Sequence, residues 1–326
     1  MEKFVSIIIP YRNEEKFIAR CLDSIIAQDF AKDNLEILVV DGMSEDKTKE
    51  IVEEYTHRYL FIKLLSNPKK IAPAAQNIGL KNAKGEIIMI MDAHSTYQRD
   101  YISKCLKYLK EYNADNVGGV TMTLPRENTL IGKAIAQVLS HPFGAGNAYF
   151  RIGLEKPIWT DSVPFGCYKR EVFEKIGNFN EKLASSYDRD FNLRLKKAGG
   201  KILLAPDIIS YYYARSSFRD FLKHDFSNGI WITYPLKFGI KIFSWRHLIP
   251  MVFIGSLIIS LILGFFFFWL KILFILIFGG YLLLNLLFSL KISLKEGLKY
   301  LPILPIVFAT RHFAYGFGSI WGLIKL

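Results

Sequence analysis

From Leu248 to Leu270 the chain runs for 23 residues without a charged side chain, and beyond Lys271 a second uncharged run of 19 continues from Ile272 to Leu290. As helices, both are long enough to cross a hydrocarbon core of about 30 Å. They lie too far along the chain to be signal peptides, and the first ten residues show no cleavable leader pattern. A third apolar stretch, Tyr300–Ile324, is also long enough but carries Arg311 and His312 near its middle. Charges at that depth are normally paired or face water. The stretch is therefore either a third span with a functional arginine, the form expected here, or two interfacial pieces broken near Arg311.

Residues 236–326 hold nine Lys or Arg against the single Glu296, so +8 of the net charge of +12 sits in that quarter of the chain. A balance this basic raises nucleic acid as a partner. Here the cations flank apolar runs, as expected beside an anionic leaflet, and no nucleic acid is expected. Lys291, Lys295 and Lys299 follow the second run, whereas only Lys271 separates the first two. The positive-inside bias predicts a multi-pass cell-membrane protein with the N-terminal part in the cytoplasm and a tight outer turn at Lys271. Cys21, Cys105 and Cys167 have no CxxC spacing, so neither zinc nor a disulfide framework is indicated.

The first half alternates strand and helix signals. Strands are predicted at Val5–Pro10, Glu36–Val40, Phe61–Leu65 and Glu86–Met91, with helices at Glu14–Gln28, Asp46–Tyr59 and Ala74–Ala83. Strands that read as continuous apolar runs between helices indicate a parallel sheet covered on both faces. From Asn113 to Ile158 dispersed Gly, Pro and Asn read as loop. Helices at Glu171–Ile176 and Asp188–Ala198 and a strand at Lys201–Leu204 follow. Ser217–Phe226 is amphipathic, and the aromatic and cationic residues after it suit an approach to a membrane surface.

Ligands of parallel α/β sheets bind outside the carboxyl ends of the strands. Polar clusters stand at three of those ends: Pro10-Tyr11-Arg12-Asn13-Glu14, Asp41 to Asp46, and Asp92-Ala93-His94. A carboxylate there accepts hydrogen bonds from a base or ribose, and a carboxylate–x–ligand pair can hold a divalent ion that neutralises a diphosphate. Asp41 as a helix cap and Asp92 as a turn residue are the bland readings of each alone. No GxGxxG follows the first strand, which disfavours a nicotinamide dehydrogenase.

These clusters, with SIIIPYRNEE, ILVVDGMSEDKT, NPKKIAPAAQNIGLKNAKGEIIMIMDAH and YDRDFNLRLKKAGG, resemble the family 2 inverting glycosyltransferases of GT-A fold. The likeness covers about residues 4–215. FGCYKREVFEKIGNFNE and HPFGAGNAYFR are similar to the branch that elongates succinoglycan-type exopolysaccharides on a lipid carrier. To the interfacial amphipathic segment at 216–247 and the transmembrane anchor at 248–326, with helices at about 248–270, 272–290 and 300–324, the resemblance adds a Rossmann-like nucleotide-sugar-binding domain over 1–215. It implies that Asp41 reads the nucleotide, with Pro10, Tyr11 and Glu14 lining the same pocket. Asn77 falls on the Asn of the family's ARNxG motif. Gln76 replaces its Arg, leaving diphosphate neutralisation to another cation such as Lys70. Asp92 and His94 fall on the DxD metal motif with His in second place, a donor pair that suits Mn²⁺ better than Mg²⁺. Asp188 aligns with the catalytic carboxylate of the family's ED pair. Tyr187 stands where the first acid is expected, which leaves Asp190 as a rival base.

The partners implied are a nucleotide-sugar donor, expected to be a UDP-sugar, and a saccharide on a polyprenyl diphosphate. Arg215, Arg219 and Lys223 are candidates for the lipid diphosphate and equally explicable as a solvated cationic face. Two other readings stay open, transfer onto polyprenyl monophosphate itself and a non-catalytic sugar-nucleotide-binding membrane scaffold. The scaffold predicts erosion at Asp92, His94 and Asp188, all of which are present.

Overall fold

A computed structural model describes Lys3–Lys325 and resolves into two compact units, residues up to Met122 with Tyr149–Tyr213, and Thr123–Ala148 with the chain from Ala214 onward. The first unit begins β1 (Val5–Tyr11), α1 (Ile18–Ile26), β2 (Leu35–Asp41), α2 (Thr48–Arg58), β3 (Ile62–Ser66), α3 (Ala72–Asn82), β4 (Ile87–Ile90). It continues β5 (Ser95–Tyr97), α4 (Tyr101–Glu111) and β6 (Asn116–Pro125). After α5 (Leu130–Leu139) and α6 (Pro142–Ala145) of the second unit, the chain returns through α7 (Tyr149–Ile152), β7 (Ile158–Trp159), β8 (Cys167–Lys169), α8 (Arg170–Ile176), α9 (Tyr187–Lys197) and β9 (Ile202–Ala214).

The sheet runs β3-β2-β1-β4-β8-β6-β9-β5, with β7 on β9. The β3-β2-β1-β4 part is parallel, while β8 joins β4 and β6 antiparallel. Successive strand residues face opposite sides. Ile7, Ile9, Ile37 and Val39 therefore pack with Ile18, Cys21, Leu22 and Ile25 of α1, whereas Ile8, Leu38 and Val40 pack with Ala75, Phe191 and Leu195. On that second face the ring of Phe191 lies 4.9 Å from Phe173 and 4.5 Å from Phe179, which seats α9 on the sheet. This mixed α/β Rossmann-like sheet is the expected GT-A architecture. The expected loop at 113–158 is corrected: β6 is a ten-residue strand and α5 a helix capped by Thr129. Residues 123–148, expected with the first domain, cluster with the C-terminal unit.

The second unit adds α10 (Phe218–Thr233), α11 (Ile249–Leu263), α12 (Phe268–Glu296) and α13 (Leu304–Ile324). Two helices, Trp245–Leu263 and Phe268–Glu296, are long and apolar enough to cross a membrane by length and composition. The turn between them falls at 264–267, so Lys271 lies inside α12 rather than at the expected turn. α13 continues unbroken through Arg311. α10 buries Phe221, Asp225, Gly229 and Ile232 on one face and leaves Arg219, Leu222 and Lys223 exposed on the other. Its crossing with α13 is close because glycines meet there. A Cβ on Gly229 would come within 2.2 Å of the Tyr315 carbonyl oxygen, and one on Gly318 within 2.1 Å of that of Phe226. With Gly322 this is the small-xxx-small contact by which apolar helices associate.

The charges of α13 are satisfied internally. Arg311 Nη1 donates to Asp225 Oδ1 at 2.9 Å, and its Nε donates to the Gly144 carbonyl oxygen. His312 Nε2 lies 2.8 Å from the Phe143 carbonyl oxygen and its Nδ1 3.1 Å from the Tyr281 hydroxyl. Asn285 of α12 donates to the Pro305 carbonyl at 3.0 Å.

Candidate active site

The ends of β1 and β2 are in register, Tyr11 opposite Asp41, and their loops are laced together. Asn13, at φ 55°, accepts from Glu45 N at 2.9 Å, and its own N–H donates to Ser44 Oγ at 3.1 Å. Asp41 is nearly buried and accepts from Ser44 N at 2.9 Å. Burial pushes the Tyr11 phenol up, and the Asp41 carboxylate beside it adds to that. Pro10 lies in β1 opposite Val40. Pro10, Tyr11 and Asp41 are thus brought to one strand edge.

After β4 the chain turns into the short β5, which holds the Asp92 backbone. Asp92 N donates to the Tyr97 hydroxyl at 2.8 Å, and Cys21 Sγ contacts the Asp92 carbonyl oxygen at 3.4 Å. The Asp92 side chain remains 41% exposed. His94 presents Nε2 4.0 Å from Asp92 Oδ2 and Nδ1 3.0 Å from Glu14 Oε1. A carboxylate at Nδ1 orients the imidazole with Nε2 on the Asp92 side. Glu14, expected to line the nucleotide pocket, thus also lies against His94.

Asp188 opens α9 and is exposed. Burial pushes the Tyr187 phenol up, and the charges of Asp188 and then Asp92 add to that. Asp190 is 7% exposed and accepts from Arg194 Nε at 3.0 Å. Arg194 also donates to the carbonyls of Ile176 and Asn178, so Asp190 is tied into a hydrogen-bonded knot while Asp188 is exposed. Asn77 is likewise committed: its Nδ2 donates to the Phe179 carbonyl and to Glu181 Oε1, and its Oδ1 accepts from Phe179 N, all at 3.0 Å. Lys69 pairs with the same Glu181 at 2.6 Å, while its exposed neighbour Lys70 sits at φ 60°. Arg215 follows β9, and Arg219 and Lys223 are exposed on the first turns of α10, all in the second unit.

Against known proteins, the profile described as Glycosyl transferase family 2 matches residues 6–177. Over 99% of this chain and 98% of the relative, it is 31% identical to the dolichyl N-acetyl-alpha-D-glucosaminyl phosphate 3-beta-D-2,3-diacetamido-2,3-dideoxy-beta-D-glucuronosyltransferase of Methanococcus voltae. The chain belongs to glycosyl transferase family 2. The expected kinship with succinoglycan enzymes holds too: this glycosyltransferase is 25% identical to succinoglycan biosynthesis protein ExoA of Rhizobium meliloti, over 75% of this chain and 80% of that one. The mannosyltransferase PcManGT of Pyrobaculum calidifontis, solved with GDP-Man and Mn²⁺, shares the fold at TM-score 0.62 and 20% identity, over 98% of this chain and 88% of that one.

The donor set of this glycosyltransferase fits a divalent cation. The 4.0 Å between Asp92 Oδ2 and His94 Nε2 lies within the reach of two bonds of about 2.1 Å. Among the described residues no group of three His, Cys, Asp or Glu side chains forms a fuller metal site. Two protein ligands, with the rest from water and substrate phosphate, is the usual pattern for Mg²⁺-type sites beside phosphates.

Two residues escaped the sequence. Tyr212 stacks edge-on to His94 at 5.3 Å, and the Arg151 guanidinium lies 5.1 Å over the Tyr212 ring. Arg151 ends the HPFGAGNAYFR stretch, which was the available signal. Tyr187 was visible only as a departure from the family pattern, as was Gln76. The fold brings these two departures together, with Gln76 Nε2 3.4 Å from the Tyr187 hydroxyl. Where the family pattern sets Arg and an acid, this chain sets a neutral amide and a phenol in contact.

Proposed function

We propose that this glycosyltransferase moves a sugar, with inversion, from a nucleoside-diphosphate sugar to a saccharide carried on a polyprenyl phosphate or diphosphate. One observation carries the reading: Asp92 Oδ2 and His94 Nε2 stand 4.0 Å apart just beyond β4, which pairs with β1, whose end sets Tyr11 opposite Asp41, in a chain of glycosyl transferase family 2. Asp41, Tyr11 and Pro10 take the nucleoside, expected as uridine. Asn77 and Glu181 hold the adjoining loop rather than touch the donor, and Arg151 rather than Lys70 supplies the extra cation. Asp92 and His94 would hold a divalent ion, Mn²⁺ or Mg²⁺, which would offset the diphosphate charge and favour its departure. Asp188 accepts the proton of the acceptor hydroxyl as it attacks the anomeric carbon from the opposite face.

The lipid-linked acceptor is supported by the Methanococcus relative, whose name specifies a dolichyl phosphate sugar and whose likeness runs through the C-terminal helices. The same helices, with Lys291 and Lys295 in the last turns of α12 and Lys299 just beyond it, support a multi-pass protein with its first unit in the cytoplasm. The test is purified protein in detergent with radiolabelled nucleotide sugars, Mn²⁺ or Mg²⁺, and polyprenyl-linked saccharides. Expected is a lipid-extractable product with inverted anomeric configuration, lost in excess chelator. Product on bare polyprenyl monophosphate alone would sink the acceptor assignment.

A further inference from the structure

Along the flank of the α10–α13 crossing runs an apolar groove of about 590 Å³. On α13 it extends from Thr310 through Phe313 and Phe317 to Ile324, and on α10 its wall is Leu222 and Phe226. The fourteen steps from Thr310 to Ile324, at a rise of about 1.5 Å each, make this groove about 21 Å long. The glycine contacts at 229, 318 and 322 fix the two backbones against each other, so neither helix can shift inward to fill the space. Leu222 is 50% and Phe317 44% exposed, while Phe221 and Asp225 on the other side of α10 are buried.

The groove has a charged end. Asp225 meets Arg311 and Thr233 meets Ser319, so α10 and α13 run in the same direction. The first turns of α10 therefore stand at the Thr310 end. They carry Arg219, three residues before Leu222 and so on its face, and Lys223, both exposed. Asp220 is nearby, but its Oδ2 is engaged by the Ser217 hydroxyl at 2.7 Å. Cations at one end and an apolar lane beyond them match an anionic headgroup joined to one long hydrocarbon chain.

We infer that this groove holds the polyprenyl chain of the acceptor, with its phosphate at Arg219 and Lys223. The inference rests on the lipid-linked acceptor of the proposed function and adds the place where the lipid lies. Full-length protein in phosphatidylcholine nanodiscs, irradiated with a polyprenyl phosphate bearing a diazirine in its chain, should be labelled in 218–233 and 304–324. Unlabelled polyprenyl phosphate should displace the label and phosphatidic acid should not. Equal displacement by phosphatidic acid would show a general lipid groove and overturn the assignment, as would labelling confined to α11 and α12. Leu222→Trp, which narrows the lane, should raise KM for the lipid-linked acceptor about tenfold, the loss of one or two buried methylene contacts, with nucleotide-sugar affinity kept. Leu222→Met should behave as wild type. A wild-type enzyme that glycosylates no polyprenyl-linked acceptor defeats the proposed function and leaves the labelling test standing. Transfer that proceeds normally in Leu222→Trp, with label elsewhere, defeats the groove alone.

Discussion

Each unit of this glycosyltransferase contains an Asp beside a nitrogen base, and the two pairs are built for opposite ends. In the first unit Asp92 stands 4.0 Å from His94, beyond direct hydrogen bonding, with its side chain 41% exposed at the end of a strand. In the second unit Asp225 is fully buried and lies 2.9 Å from Arg311, whose guanidinium also reaches the Gly144 carbonyl. A buried pair is costly to break because the remaining charge is left uncompensated. A separated, solvent-reachable pair has room for a ligand. Geometry, not residue type, separates the open pair from the closed one.

The largest effect should come from the open pair. Asp92→Ala should reduce transfer by about 10³-fold or more, the several kcal/mol that a bound cation gives to a departing diphosphate. Folding should be unchanged, since the Asp92 backbone and not its carboxylate is what Tyr97 and Cys21 hold. His94→Asp should retain activity with the preference shifted from Mn²⁺ toward Mg²⁺, read from rates with each ion. Full activity of Asp92→Ala in excess chelator would break the comparison at its first limb.

The closed pair should respond the other way. Arg311→Ala or Asp225→Ala should cost about 3–5 kcal/mol of stability, measured by thermal unfolding in detergent. Replacing both together, Asp225→Leu with Arg311→Met, should recover most of that loss, because no lone charge remains. A double replacement as unstable as the single ones, yet with the donor site intact, would show that the pair does more than hold helices.

Asp188 and Asp190 repeat the contrast within one helix. Asp188→Asn should lower turnover by at least about 10²-fold while leaving nucleotide-sugar affinity nearly intact, since the amide keeps the size and cannot take the proton. Asp190→Asn should instead lower stability through the Arg194 knot, with turnover per folded molecule little changed. Equal turnover losses would leave the base unassigned.

The sequence made the open pair legible and hid the closed one. β1, β2 and β4 are apolar runs buried on both faces, so their ends, and the polar residues at those ends, could be placed to within a few residues. Asp225 and Arg311 are 86 positions apart, and no local pattern links them. The glycines of β6 looked like loop markers, yet Gly119 is there because a Cβ would sit 1.9 Å from the Ile208 carbonyl oxygen. The turn at 264–267 was missed because its phenylalanines are as apolar as the helices it joins, and Lys271 was the only landmark.

The smallest expected effect tests whether the first unit also holds a charge purely for cohesion. Glu36 on β2 is buried, accepting from Ser6 Oγ at 2.7 Å, Lys84 N at 2.6 Å and Lys63 Nζ at 3.0 Å. Burial alone would raise its pKa, but the hydrogen bonds from Ser6 and Lys84 and the Lys63 ammonium together hold it below the ordinary carboxylate value. A folded pKa below the unfolded one, near 4.3, means the charge stabilises fully above that pH and loses its effect as pH falls through the folded value. Glu36→Gln should therefore cost about 1–3 kcal/mol at pH 7, as expected for a charged acceptor with buried donors. The measurement is hydrogen exchange of β1 and β2 amides in the full-length protein. The gap between wild type and variant should narrow steadily below pH 4. A gap that stays constant to pH 3 would mean that the hydrogen bonds, which survive protonation, and not the charge carry the contribution. Glu36 would then differ in kind from Asp225, where the charge itself requires its partner.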